Sequence, residues 1–324
     1  MKIAYTPLTF APILKERIWG GQKLQAVLNK PHTDFTAGES WELSSVPGDI
    51  STVDQGPLAG QSLNDLIAAD PEGILGKKVY ADYGAQFPLL FKWIDAREDL
   101  SIQLHPNDAL AQARHNSFGK TEMWYVKQAD PGSRLIVGFK ERSSAEEYQS
   151  HLAQKTLSDI LDAHPVQQGD VYFLETGTVH AIGAGILIAE IQQTSDITYR
   201  IYDWDRVDAQ GNSRELHIDL ALDAINYDKI NAHKPYSRTP DHSHEVVHCR
   251  YFDTNYIKLE QGLSRQHDGN SFVVYMVVEG ALQIGVAGNT YVYSSGQTVL
   301  LPAALTQYRL EGHAEVLEIR VPAL

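Results

Sequence analysis

Apolar and polar residues alternate over short stretches through most of this chain, and glycine or proline closes each stretch within a few positions, a pattern that predicts strands and turns more often than helices. Residues 1–60 carry Pro7, Pro12, Pro31, Pro47 and Pro57 among many glycines, which suits short strands and loops. Phe87–Ile94 reads as a strand with Lys92 among apolar neighbours; such a lysine is either paired and buried or snorkels to solvent. Ile186–Gln193 reads as another, with Ile188, Glu190 and Gln192 on one face. From Tyr251 onward, apolar runs are punctuated by Gly262, Gly269, Gly280, Gly285, Gly288, Gly296 and Gly312, the turn rhythm of a small β-barrel. Helical patterns are fewer. Ser62 caps one that breaks around Pro71–Gly73, and Asn107 or Asp108 caps one through Ala113. Capping boxes at Ser144 and Thr156 predict a helical insertion over 144–163. Leu216–Tyr227 predicts a further helix, and residues 232–245, with Pro235 and Pro240, read as a polar linker.

The strand pattern also places chemistry. In Ser101–Asp108, Gln103 and His105 point to one face while Ile102 and Leu104 point to the other. Lys120 and Glu122 share a face in the same way. Further on come Gly169, Gly177 eight residues later and His180 three after that, the spacing of the second cupin motif, with Glu175 where that motif usually has proline. The glycines permit tight turns between barrel strands, and the histidine lies on the strand that returns inward. Two imidazoles, a carboxylate and an amide oxygen make a mixed nitrogen and oxygen donor set of the kind zinc takes with three or four protein ligands. A single histidine beside a proline is usually a surface or satisfied core residue; the segments together carry the reading.

Gln103-Leu104-His105-Pro106-Asn107, Gly119-Lys120-Thr121-Glu122-Met123-Trp124, Gly177-Thr178-Val179-His180-Ala181 and Gln193–Arg200 resemble the type I mannose-6-phosphate isomerases, in particular their short bacterial form. Arg17-Ile18-Trp19-Gly20-Gly21 and Gly38-Glu39-Ser40-Trp41-Glu42 add to the likeness. The resemblance implies a mainly β fold of two cupin-like, jelly-roll β-barrels with helical insertions: a metal-binding domain over 1–235 and a metal-free cupin-like domain over 236–324. It implies interconversion of mannose 6-phosphate and fructose 6-phosphate through a cis-enediol, with one zinc ion (Zn2+) per chain held by Gln103, His105, Glu122 and His180. Glu190, Asp196 and Arg200 resemble the acidic and arginine positions lining the sugar-phosphate cavity of that family. Arg200 is expected to anchor phosphate or an enediolate oxygen, assisted by Lys120, and Lys92 to bind substrate. Glu190 and Asp196 are the carboxylate candidates for the base, and Lys92 or Lys120 enter if desolvation lowers their pKa. Arg200 has a plainer role open to it, a salt bridge with Asp196, Asp203 or Asp205.

Charge narrows the partners. Against 41 Asp and Glu stand 27 Lys and Arg, a formal charge of −14, which repels nucleic acid and anionic membrane and obliges a small sugar-phosphate substrate to find a local basic patch. Cys249 is the only cysteine, which fits a reducing compartment, and the segment Met1–Pro7 lacks signal-peptide character, so a cytoplasmic protein is expected. Phe272–Val278 is too short to span a bilayer. His242, His244, Glu245 and His248 look like metal ligands by composition but lie in the polar linker, where such a tract is usually solvated. Gly296–Pro302 repeats the cupin spacing in the C-terminal half, with Gln307 where the histidine would stand. The other classes are a non-catalytic cupin that binds sugar phosphate, an iron dioxygenase on the same barrel, and a cupin-type glucose-6-phosphate isomerase, whose closely spaced His pair and Glu are absent here.

Overall fold

Two antiparallel sheets face each other and enclose the first core. In the computed structural model, which describes residues 5–207 and 211–322, the six-stranded sheet runs Ile13–Glu16, Ala37–Leu43, Leu89–Ala96, Ile186–Gln193, Glu122–Ala129 and Val171–Leu174. The five-stranded sheet runs Tyr199–Tyr202, Ile102–Leu104, His180–Ile182, Arg134–Phe139 and Leu161–Pro165. Residues 1–4, part of the segment read above as lacking signal-peptide character, lie outside the described residues. Trp19, Ile94, Trp124, Val126, Ile182 and Ile188 form one apolar cluster between the sheets. The strands Leu89–Ala96 and Ile186–Gln193 are buried along their whole length. Both faces of the six-stranded sheet are covered, so these strands read as near-continuous apolar runs rather than as clean alternation.

The outer face of that sheet presents Phe91, Trp93, Met123 and Ile191, which pack in one cluster with Leu66, Ile74 and Val79 of three short helices and with Phe272, Met276 and Leu317 of the C-terminal half. Each such buried side chain contributes roughly 1.5–3 kcal/mol. The C-terminal half is a second antiparallel sheet in the order Ser243–His248, Asp253–Leu259, Gln307–Arg320, Val273–Val286, Asn289–Ser294, with Leu263–Gln266 added to Gln307–Arg320 and Thr298–Leu301 to Val273–Val286. The first half of Val273–Val286 sorts by period two: Val274, Met276 and Val278 join the shared cluster, while Val273, Tyr275 and Val277 face a separate core, and a bulge after Val277 then turns Leu282 and Ile284 into that second core. The N-terminal segment ties the two halves together. Leu8 exchanges both backbone hydrogen bonds with Leu300, each 2.8 Å, and Lys30 Nζ donates to Gly296 O at 2.8 Å.

Ser62 and Ser144 cap their helices as expected, accepting from Asp65 N and Glu147 N. Pro71 interrupts the first helix but opens a second one, Pro71–Leu75, from an Asp70 cap, because a first-turn proline loses no helical hydrogen bond. Thr156 does not cap. Its hydroxyl lies 2.9 Å from His151 Nδ1, and the helical insertion ends at Ile160, where Leu161–Pro165 pairs with Arg134–Phe139 instead. The helix expected over 216–227 shrinks to Ile218–Leu222 because Asn226 N is drawn away to Gly177 O, 2.8 Å. The polar linker is shorter than its composition suggested: pairing begins at Ser243, and Val246 and Val247 are buried. No described helix is long and apolar enough to cross a membrane.

Candidate active site

Strand register assembles the site. Glu190 stands opposite Lys92 on one side and Trp124 on the other, and Lys92 stands opposite Trp41. In the facing sheet, Gln103 pairs with both His180 and Arg200. Gly177 makes the turn before His180 at a φ of 85°, and a Cβ there would come within 2.5 Å of Ala224 O, so only glycine fits. Alternation then turns Glu39, Lys92, Glu122, Trp124 and Glu190 into the space between the sheets, toward His105 and His180.

His105, Glu122 and His180 are all buried and place one donor atom each within 4.8 Å of one another. The His105 Nδ1 and His180 Nδ1 atoms each lie 2.8 Å from a backbone carbonyl, of Ile197 and Thr178. Those acceptors hold the proton on Nδ1 and leave both Nε2 lone pairs facing Glu122, each 3.4 Å from a carboxylate oxygen. Burial, with Lys120 nearby, keeps His105 below its ordinary pKa, and burial pushes His180 down to about 3, so both rings are neutral. Among the described residues this is the group placed to hold a metal ion. Gln103 lies beside it, with Nε2 3.5 Å from His180 Nε2 and Oε1 accepting from Ser101 Oγ at 3.2 Å. Half a turn of the amide presents Oε1 to the same point.

Lys120 Nζ sits 3.0 Å from His105 Nε2, bonds to Glu122 Oε2 and lies 3.7 Å from Glu190 Oε1. Burial alone would lower its pKa, but the carboxylates of Glu122 and Glu190 outweigh burial and hold the ammonium above its ordinary range. The direction is opposite to the desolvated, neutral lysine considered from sequence. Lys92 is buried and paired: its Nζ is 3.0 Å from Glu190 Oε2 and 5.0 Å from the Trp41 ring centroid. Glu190 Oε1 also accepts from Trp124 Nε1 at 2.9 Å.

Lys92, Gln103, Lys120, Trp124, His180 and Glu190 line a cavity of about 520 Å³ together with Arg17, Glu39, Asp196, Arg200 and Arg214, and Glu122 lies behind it in contact with Lys120 and His180. Arg17, Lys92, Lys120, Arg200 and Arg214 supply the local basic patch that the overall charge made necessary. Two of the aspartates near Arg200 are engaged elsewhere. Asp203 is clamped by Arg206 and Arg214, and Asp205 pairs with Lys155. Arg200 therefore keeps its guanidinium at the cavity wall, donating to Ser101 Oγ at 3.3 Å and to Glu215 O at 2.9 Å. Asp196 is exposed and reaches the cavity from its rim. The His242, His244, Glu245 and His248 tract forms no such group; His242 and His244 bond to the carbonyls of Pro240 and Thr239.

Sequence reasoning assigned no role to Arg17, Glu39 and Arg214. Glu39 accepts from Arg17 Nε at 2.8 Å and from Trp41 Nε1 at 2.7 Å. Burial raises the Glu39 carboxyl, but Lys92 and Arg17 overcome it and bring the pKa down to about 2. A depressed carboxylate contributes stability that is fully present above its ordinary value of 4.5 and lost as pH falls toward about 2. The stability difference between wild type and Glu39→Gln is therefore expected to be largest at neutral pH and to shrink by up to about 3 kcal/mol in acid. Urea titrations at a series of pH values measure it, and a pH-independent difference would contradict the assignment.

A barrel of antiparallel strands with two imidazoles and a carboxylate converging inside it defines a cupin with a centre able to take a metal ion. Residues 8–129 match the family model for the phosphomannose isomerase type I catalytic domain, and residues 242–321 match that for the mannose-6-phosphate isomerase cupin domain. The chain is 34% identical to the probable mannose-6-phosphate isomerase GmuF of Bacillus subtilis (strain 168), over 95% of this chain and 97% of that one. It is 34% identical to the mannose-6-phosphate isomerase of Streptococcus mutans over 96% and 97% of the two chains. The crystal structure of the mannose 6-phosphate isomerase from Bacillus subtilis superposes with a TM-score of 0.88 at 30% identity, covering 97% of this chain and 99% of that one. The chain belongs to the type I mannose-6-phosphate isomerase family.

Proposed function

We propose that this chain interconverts mannose 6-phosphate and fructose 6-phosphate through a cis-enediol, using one zinc ion held by His105, Glu122, His180 and Gln103. The observation that carries the reading is the His–Glu–His group set against the cavity, which His180 of that group lines together with Arg200 and Arg214. The donors suit such an ion. Both imidazoles offer Nε2, and Glu122 Oε1 is buried with no hydrogen-bond partner. When bound, zinc supplies a Lewis acid that polarises the sugar's carbonyl and hydroxyl oxygens.

The chain's own residues do the rest. Arg200 presents a planar fork to the phosphate, and Arg214 adds a second positive charge on the same wall. Lys120 carries its ammonium beside Glu122 and Glu190, where it can donate to an oxygen that gains negative charge. Lys92 helps to hold the substrate from the other wall. Glu190 is tied to Lys92 and Trp124 and faces Lys120, which makes it an organiser of the cations and a poor proton acceptor. Asp196 has no ion-pair partner among the described residues and lines the rim. It is the better placed carboxylate to move a proton between C1 and C2.

The test is fructose 6-phosphate formation from mannose 6-phosphate by the zinc-loaded protein, before and after chelation. Turnover is expected to disappear with the metal and return with zinc. Bound zinc and bound sugar phosphate without turnover would instead make the chain a non-catalytic sugar-phosphate-binding cupin.

A further inference from the structure

Lys120 lies in a short stretch, Gly119–Thr121, that belongs to no strand; the ladder begins at Glu122. Its backbone is nonetheless held on both sides by side chains. Gly119 N donates to Asp108 Oδ1 at 2.9 Å, and Thr121 N donates to Gln193 Oε1 at 2.9 Å. The two acceptors are themselves joined, since Gln193 Nε2 donates to Asp108 Oδ1 at 2.9 Å. Gln193 also takes the carbonyl of Thr121 through its own N–H, at 3.1 Å. The remaining oxygen of Asp108 accepts from the Tyr251 hydroxyl at 2.7 Å, and Tyr251 belongs to the C-terminal half. Packing closes the arrangement from beneath: a Cβ on Gly119 would come within 2.7 Å of Asp108 N and 2.9 Å of Asn107 C.

None of these three side chains lines the cavity, so a direct part in binding does not account for them. Helix capping does not either, because Asn107 supplies the cap of Asp108–His115. Burial acts to raise the Asp108 carboxyl, but its bonds to Tyr251, Gln193 and Gly119 N outweigh burial, so it stays charged and keeps accepting. What the unit does fix is the point from which the Lys120 side chain departs.

We infer that Asp108, Gln193 and Tyr251 form a positioning unit that sets the Lys120 ammonium in the site, and that Tyr251 is the contribution of the metal-free half of the chain to catalysis. The inference rests on the reading above that Lys120 acts in the reaction. A lysine whose base drifts by about an ångström loses alignment with the reacting oxygens, and misplacement of that size costs on the order of 100-fold in rate.

The test is a kinetic cycle on the full-length, zinc-loaded protein with Asp108→Ala, Asp108→Asn, Tyr251→Phe, Lys120→Met and the double variant Asp108→Ala/Lys120→Met. Asp108→Ala is expected to lower kcat by about tenfold or more with KM and zinc content nearly unchanged, and Tyr251→Phe to lower kcat by about threefold. Asp108→Asn keeps an oxygen toward Gly119 N and Gln193 and is expected to recover most of the loss seen with alanine. The decisive comparison is the double variant. If Asp108 acts through Lys120, alanine at 108 slows the Lys120→Met protein no further. An equal slowing in both backgrounds, or wild-type kcat in Asp108→Ala and Tyr251→Phe alike, would overturn the inference. Wild-type turnover in Lys120→Met alone would overturn the Lys120 reading first, a failure separately visible because that variant is measured by itself. Should Asp108→Ala not fold, Tyr251→Phe combined with Lys120→Met gives the same comparison.

Discussion

Glu122→Gln is expected to abolish turnover, to weaken metal binding by more than about 100-fold, and to lower the melting temperature of the metal-free protein by several degrees. The amide keeps the volume of the carboxylate, so the packing of a fully buried side chain is preserved. What changes is charge. Lys120 Nζ then faces a neutral group, and its remaining acid is Glu190, 3.7 Å away. Removing one partner of a buried ion pair costs about 3–5 kcal/mol, because the other charge stays out of water without compensation. The carboxylate is also what draws a divalent cation to two neutral imidazoles. Thermal melts with and without chelator, metal analysis and steady-state rates give the three numbers. Adding Lys120→Met to Glu122→Gln removes the stranded ammonium, and is expected to restore stability to the metal-free protein without restoring turnover. Unchanged melting in the single variant would mean that Glu122 and Lys120 are not coupled as their contact indicates.

The candidate donors are legible in the sequence because the signals that mark them are local. Gln103 and His105 share a strand face by parity, and the glycines at 169 and 177 mark the turns that bring His180 inward. The cation wall is legible only in part. Sequence places Lys92 and Glu190 in apolar strands, yet does not show that they are register partners, because that depends on how segments nearly 100 residues apart align. Arg214 carries no signal at all. It sits in a segment without regular structure and owes its place to the clamp on Asp203, a contact that no spacing encodes. Arg17 and Glu39 lie within motifs that support the family likeness, but their roles follow from a bond between adjacent strands. The shortened helix at Ile218–Leu222 has the same cause. Its apolar residues suit a longer helix, and a tertiary hydrogen bond to Gly177 ends it.

Arg200→Ala and Asp196→Asn are expected to fail in opposite ways, and the contrast tests the division of labour in the cavity. Arg200 is half-buried, and although burial and the neighbouring Arg214 lower its pKa, a guanidinium remains charged at neutral pH. Charge-assisted hydrogen bonds contribute about 1.5–3 kcal/mol each, so losing the proposed two-bond contact to phosphate raises KM by about 100-fold or more. That contact is present in the ground state and the transition state alike, so kcat changes much less. The loss should also flatten the discrimination between mannose 6-phosphate and mannose, since the chain as a whole, at −14, repels the phosphorylated sugar. Asp196→Asn leaves the anchor intact and removes the group proposed to accept the proton, so kcat falls by about 100-fold or more at nearly constant KM. Michaelis curves for both variants settle the matter together. A fall in kcat at unchanged KM for Arg200→Ala would move the arginine from the phosphate to the developing enediolate oxygen. Wild-type kcat in Asp196→Asn would return the proton transfer to Glu190, whose contacts with Trp124, Lys92 and Lys120 would then have to be arranged differently when substrate is bound.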